Sequence, residues 1–126
     1  MTQLREVYKC EICGNVIEIL HAGAPALVCC KQPMDKLELK VEEEGQEKHL
    51  PVVEETDEGL LIKVGSVAHP MEEKHYIQFI EVLTSEQVLR AELETAGPAE
   101  AEFKLDTDLD YEVRAYCNLH GLWKTV

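Results

Sequence analysis

Four of the chain's five cysteines fall in its first 30 residues, as Cys10-Glu11-Ile12-Cys13-Gly14 and the adjacent pair Cys29-Cys30. No other feature limits the fold so severely. A segment this short cannot bury enough apolar surface to hold itself together, so a hydrophobic core alone cannot organise it. The C-x-x-C-Gly turn points two thiolates and nearby backbone N–H groups at one spot, and a second pair of thiolates completes a four-ligand metal site. Metal binding then supplies much of the folding free energy. A disulfide pairing is the competing arrangement, but neighbouring Cys29 and Cys30 would strain in a mutual bond. Val16, Ile17, Ile19 and Leu20 are expected to form a strand, with His21-Ala22-Gly23-Ala24-Pro25 turning the chain back. His21 is read as a turn residue. Residues 1–37 thus form one small module, and residues 38–126 a second domain.

The second domain has the rhythm of β-structure. Residues 37–46 read as an acidic connector leading from a short strand. Residues 60–67 are a largely apolar strand opened by the turn Asp57-Glu58-Gly59, and residues 76–83 are another. Leu89, Ala91 and Leu93 then alternate with Arg90, Glu92 and Glu94. Ala101, Phe103 and Leu105 alternate in the same way with Glu100, Glu102 and Lys104. A last long strand sets Val113, Ala115 and Cys117 on the inward face and Glu112, Arg114 and Tyr116 on the other. Short strands at this spacing, with no convincing amphipathic helix, predict an all-β chain: a metal knuckle followed by a β-sandwich.

Charge and composition narrow the function. With 45% hydrophobic and 29% charged residues the chain is too apolar for disorder. No apolar run approaches the roughly 18 residues of a membrane span, so no membrane partner is expected. The N-terminus lacks the basic and apolar regions of a signal peptide, which predicts a cytoplasmic protein whose thiols stay reduced. A net charge of −13 argues against nucleic acid as a partner. It also repels small anions. An anionic substrate would need a local positive patch, since charges beyond about 8 Å are largely screened at physiological salt. Asp106-Thr107-Asp108-Leu109-Asp110 looks like the start of a calcium loop, but its sixth position is Tyr111 and its twelfth Cys117, so the loop fails.

The remaining cysteine lies in Tyr116-Cys117-Asn118-Leu119-His120-Gly121. Upstream stand His49, His69 and His75. Together these offer four imidazoles and one thiolate. That is one ligand too many for a closed tetrahedral zinc site, and the right number for a five-coordinate iron with one position open. A catalytic Cys–His dyad of Cys117 and His120 competes, but it leaves His49, His69 and His75 unexplained.

In combination these motifs resemble the desulfoferrodoxin family, the two-iron form of superoxide reductase. Tyr8-Lys9-Cys10-Glu11-Ile12-Cys13-Gly14 with Cys29-Cys30 is similar to its desulforedoxin-like centre. Glu47-Lys48-His49-Leu50-Pro51, the stretch from Val67 through His69-Pro70-Met71 to His75, and Tyr116-Cys117-Asn118-Leu119-His120-Gly121 are similar to its catalytic domain. Ala115 departs from the family, which often carries Glu there. The resemblance implies two iron ions per chain: a rubredoxin-like centre on Cys10, Cys13, Cys29 and Cys30, and a second with His49, His69, His75 and His120 equatorial and Cys117 axial. It implies an immunoglobulin-like β-sandwich, a homodimer, a reduced donor such as rubredoxin, and one-electron reduction of superoxide to hydrogen peroxide. Lys48 is expected to attract superoxide and order a proton-delivering water, and Glu47 to swing onto the ferric iron after turnover. The competing function is a non-catalytic rubredoxin-like electron carrier with a structural second metal site. A weaker third is a zinc-stabilised binding module.

Overall fold

The computed structural model describes residues 1–41 and 45–125, and the chain divides into two compact units, Met1–Glu38 and Leu39–Val126. The first unit is a set of very short strands. β1 (Val7–Lys9) pairs antiparallel with β2 (Val16–Glu18) on one side. β3 (Val28–Cys29) and β4 (Gln32–Pro33) form a separate hairpin, and β5 (Asp35–Lys36) flanks β1 on its other side. Val7, Cys10 and Ile19 are its buried apolar side chains. Ile19 and Leu20, expected in a strand, lie beyond the end of β2, and Leu20 is largely exposed. Three-residue strands and three buried apolar residues cannot offset the conformational entropy of ordering such a segment. The fold of this unit therefore depends on what its cysteines bind.

The second unit is a sandwich. Its elements are β6 (Leu39–Lys40), a one-turn helix α1 (Gln46–His49), β7 (Pro51–Glu55), β8 (Gly59–Val64), β9 (Ile77–Leu83), β10 (Val88–Glu92), β11 (Glu100–Lys104), β12 (Glu112–Cys117) and β13 (Gly121–Lys124). Five strands form one sheet in the order β10-β9-β12-β13-β6, and three form the other in the order β11-β8-β7. Leu60, Ile62, Val64 and Phe103 from the smaller sheet meet Ile77, Ile80, Val82, Val113, Ala115 and Cys117 from the larger in one buried cluster. This is the face-to-face packing of two sheets whose inward residues alternate with outward ones. The fold is all-β, as the alternation of small runs predicts.

Three local features depart from the sequence expectation. The acidic connector contains β6, which pairs parallel to β13 and closes one edge of the larger sheet; residues 42–44 of that stretch lie outside the described part. The strand expected over residues 60–67 ends at Val64, where the chain leaves the sheet. Finally, β12 is buried on both faces. Arg114, expected outward, is 3% exposed and Tyr116 2%. The reason is a cross-strand triplet. Glu81 stands opposite Arg114 on one side and Arg90 on the other. Arg114 Nε donates to Glu81 Oε1 at 2.6 Å, and Arg90 Nε to Oε2 at 2.8 Å. Beside them Tyr116 stacks on Phe79, with ring centroids 5.4 Å apart. Period-two alternation shows which residues share a face; it does not say that both faces will be covered.

Removing one partner of a buried ion pair leaves the other charge uncompensated. Glu81→Ala is therefore expected to destabilise the sandwich by about 3–5 kcal/mol. The loss would be read from urea unfolding followed by the emission of Trp123, the chain's single tryptophan.

Candidate metal centres

Backbone geometry brings the four N-terminal sulfurs together. Gly14, at φ +83°, turns the chain so that its N–H donates to the Cys10 carbonyl at 2.8 Å, while the Cys10 N–H donates to Asn15 O at 2.9 Å. A side chain is disfavoured in that left-handed conformation, which explains the glycine. Cys29 pairs with Gln32, leaving Cys30 and Lys31 as a two-residue turn with φ of 52° and 66°. A tight hairpin of this kind needs two left-handed residues, and Cys30 adopts one although cysteine gains nothing from it. The turn is what lets two adjacent cysteines point at one centre. Cys13 Sγ lies 3.4 Å from Cys29 Sγ, which lies 4.0 Å from Cys30 Sγ. In a tetrahedron with metal–sulfur bonds of about 2.3 Å the sulfurs stand about 3.8 Å apart, between those two values. All four cysteines are free.

The thiols cannot all ionise unaided. Backbone N–H groups, chiefly that of Cys13, draw the Cys10 thiol down to about 7, whereas the neighbouring Cys13 sulfur is the main cause that pushes Cys30 up to about 12 and also raises Cys29. Four thiolates in contact require a cation between them.

The second cluster draws its members from distant stretches of the chain. His49 is the last residue of α1; His69 and His75 bracket a loop between β8 and β9; Cys117 ends β12, and His120 lies in the turn to β13. Ring centroids of His49 and His69 are 4.7 Å apart, His69 and His75 4.7 Å, His75 and His120 4.9 Å, and His120 and His49 4.8 Å. The four imidazoles close a ring of nearly equal sides. The centre of a square of side about 4.8 Å is about 3.4 Å from each corner. Subtracting about 1.2 Å from centroid to ring nitrogen leaves about 2.2 Å, close to a metal–imidazole bond.

Hydrogen bonds choose the nitrogens. His49 Nδ1–H donates to Gly45 O at 2.8 Å and His69 Nδ1–H to Pro70 O at 2.7 Å. Each therefore turns Nε2 inward, and the two Nε2 atoms stand 3.1 Å apart. His75 Nε2 is buried with no hydrogen-bond partner. An orphaned buried nitrogen beside two others calls for a cation. His120 differs: its Nδ1 faces the cluster, 3.7 Å from Cys117 Sγ. Burial lowers the pKa of His49, His69 and His75, with His69 falling to about 4, so the rings are neutral ligands at pH 7. Burial raises the Cys117 thiol, offset in part by N–H groups of Leu119 and His120 donating to the sulfur. Cys117, His49 and His69 are buried, whereas His120 is exposed. The cluster opens to solvent on the His120 side.

Several residues position this ring that sequence reasoning passed over. Gly45, at φ +84°, turns its carbonyl toward His49. Gly65 lies against α1 so closely that a Cβ there would stand 2.6 Å from the Glu47 carbonyl oxygen. Asn118 clamps two segments: its side-chain oxygen accepts from Tyr76 N–H at 2.9 Å and its amide donates to Lys74 O at 3.0 Å. Trp123 stacks on His49 at 4.8 Å and 15°, and its Nε1–H donates to His120 O at 3.1 Å. The available signals were two glycines next to chemistry-bearing residues, the one tryptophan, and an Asn inside the Cys-x-x-His turn. None of them reveals its partner. Lys48 is exposed on α1, and its charge helps lower His75. Glu47 is also exposed; it lines a groove of about 540 Å³ with Leu50, Tyr111 and Thr125 and is not among the clustered ligating residues. His21 stands outside both clusters.

A two-sheet sandwich carrying four imidazoles and a thiolate, preceded by a four-thiolate knuckle, defines a two-centre metalloprotein of the oxidoreductase class, and both donor sets are consistent with iron. Family models described as desulfoferrodoxin and desulfoferrodoxin N-terminal domain match residues 41–126 and 2–37. The chain belongs to the desulfoferrodoxin family. It is 51% identical over 125 residues to the desulfoferrodoxin of Syntrophotalea carbinolica, covering 99% of this chain and 98% of that one. To the desulfoferrodoxin of Nitratidesulfovibrio vulgaris it is 47% identical over 119 residues, covering 94% of each. Its fold is similar to the crystal structure of the superoxide reductase from Treponema pallidum, with a TM-score of 0.77 at 30% identity and 96% of each chain covered.

Two outcomes are expected. Gly65→Ala should push α1 and His49 off the ring, lowering metal retention at the second centre in a dialysis-and-analysis assay while the four-cysteine centre is unaffected. Acid should weaken the second unit in a defined window. Its buried histidines have folded pKa values below the unfolded value of about 6.5, so above that pH neither state is protonated and stability is complete. As pH falls from about 6.5 toward the value of about 4 at His69, the unfolded chain takes up protons that the fold refuses. Unfolding midpoints should be level near pH 7–8 and fall through that range.

Proposed function

We propose that the chain is a superoxide reductase: one superoxide anion, one electron and two protons give one hydrogen peroxide, without forming oxygen. His49, His69, His75, His120 and Cys117 hold the reacting iron, and Cys10, Cys13, Cys29 and Cys30 hold the other. The observation that carries the reading is the ring of four imidazoles with nearly equal sides joined to one buried thiolate, open to solvent on the His120 side. Iron, when bound, supplies the electron from its ferrous state and a coordination position for the substrate.

The protein's own groups do the rest. Imidazole ligands add no charge and the Cys117 thiolate adds one negative charge, so this donor set would leave a bound ferrous ion net positive toward an anion. The N–H groups of Leu119 and His120 temper the donation of the Cys117 sulfur. Lys48, whose charge reaches His75, contributes a local positive charge in a chain of net charge −13. It draws superoxide in and orders a water that delivers a proton. Glu47, on the same turn of helix, would turn from its groove to offer its carboxylate to the oxidised centre after turnover. The four-cysteine centre would relay electrons from a reduced donor such as rubredoxin or serve as a structural site. The working unit is a homodimer in the cytoplasm, where four thiols stay reduced until metal is bound.

Stopped-flow mixing of the ferrous protein with superoxide tests this. The expected product is one peroxide for each iron oxidised at the second centre; iron oxidised without peroxide would return the chain to a simple electron carrier. Lys48→Ile should slow the second-order encounter about tenfold or more. Glu47→Ala should leave that encounter near native and alter the ferric absorption spectrum.

A further inference from the structure

A second lysine approaches the same centre from another direction, and it comes from the connector. β6 runs parallel to β13 in the register Leu39 to Leu122 and Lys40 to Trp123. From there the Lys40 ammonium donates to the His120 carbonyl at 2.9 Å and lies 5.6 Å from the centroid of the Trp123 ring. Gly121 lies alongside the lysine. A Cβ at that position would meet Lys40 Cε at 3.5 Å and Nζ at 3.6 Å, and its φ of +89° already disfavours a side chain.

The His120 carbonyl thus receives two donors, the Lys40 ammonium and the Trp123 indole, while Trp123 stacks flat on His49. Two of the four rings are braced by one cation and one indole. Lys48 acts on another ring, His75. The two lysines therefore have different tasks.

We propose that Lys40 is a positioning residue for the His-rich centre: its ammonium anchors the His120 carbonyl and sets a fixed positive charge beside the thiolate and rings, favouring the reduced, electron-donating state of the metal. This inference rests on the iron assignment above. The physical basis is simple. A unit charge in a partly buried site interacts with a metal through an effective dielectric far below that of water, and the ferric state, one charge more positive, suffers the greater repulsion.

Redox titration of iron-loaded Lys40→Met, Lys40→Gln and Lys40→Arg tests the proposal. At the potential where the native second centre is half reduced, the ferrous-to-ferric ratio should fall several-fold in the Met and Gln variants and stay native in Arg. Gln keeps a donor for the His120 carbonyl, so it isolates the charge; a native ratio in loaded Lys40→Gln overturns the proposal, whatever Met does. Metal analysis separates this from failure of the functional reading. Native protein without iron at the five-ligand centre would overturn the iron assignment, whereas a loaded centre with an unmoved ratio would overturn the role of Lys40 alone.

Discussion

Behind His49 and behind His69 stands a backbone carbonyl that accepts a hydrogen from Nδ1, and the geometry of the larger unit depends on those contacts. An imidazole has two nitrogens, and the one already committed to a hydrogen bond cannot serve a metal. Gly45 O and Pro70 O therefore select Nε2 on both rings. Gly45 presents its carbonyl by adopting a left-handed conformation, and Gly65 lets α1 lie close enough for His49 to reach the ring. Because burial keeps His49, His69 and His75 neutral, these rings converge without the repulsion that imidazolium ions would suffer.

The sandwich serves this ring by delivering ends of strands. Cys117 shares the inward face of β12 with Val113 and Ala115, so its sulfur is rooted in the hydrophobic cluster. Beside it the pairing of β9 with β12 shifts register: Tyr116 faces Phe79, but Cys117 faces Ile77. One extra residue, Gln78, is accommodated in β9. Such a bulge bends the strand locally and re-aims the neighbouring side chains. The loop carrying His75 joins β9 at that point, and Asn118 ties it to the turn after Cys117.

Electrostatics divides the molecule differently from packing. An excess of carboxylates repels anions at a distance. Near the His-rich cluster individual cations stand against that excess: Lys40 on the His120 carbonyl, and Lys48, whose charge acts on His75 together with that of Glu72. Away from it, the buried Glu81 between Arg90 and Arg114 confines a strong charge interaction to the opposite face of the larger sheet.

Much of this was legible in the order of residues. The all-β character followed from period-two alternation, because side chains on a strand must point to opposite faces whatever the fold around them. The four-thiolate set followed from C-x-x-C-Gly and the Cys pair, since a short turn brings those sulfurs together by local geometry alone. Residue types also singled out His49, His69, His75, Cys117 and His120 as a set. What the sequence could not state was anything carried by contacts between distant segments: which nitrogen each ring turns inward, that Trp123 stacks on His49, that Gly65 presses on α1, that a connector lysine reaches the His120 carbonyl, or that both faces of β12 are covered. Local pattern determines periodicity and short-range chelation because both arise within a few bonds of the backbone. Register, bulges and hydrogen-bond partners are decided when sheets pack, since only then do residues far apart in the chain compete for the same space.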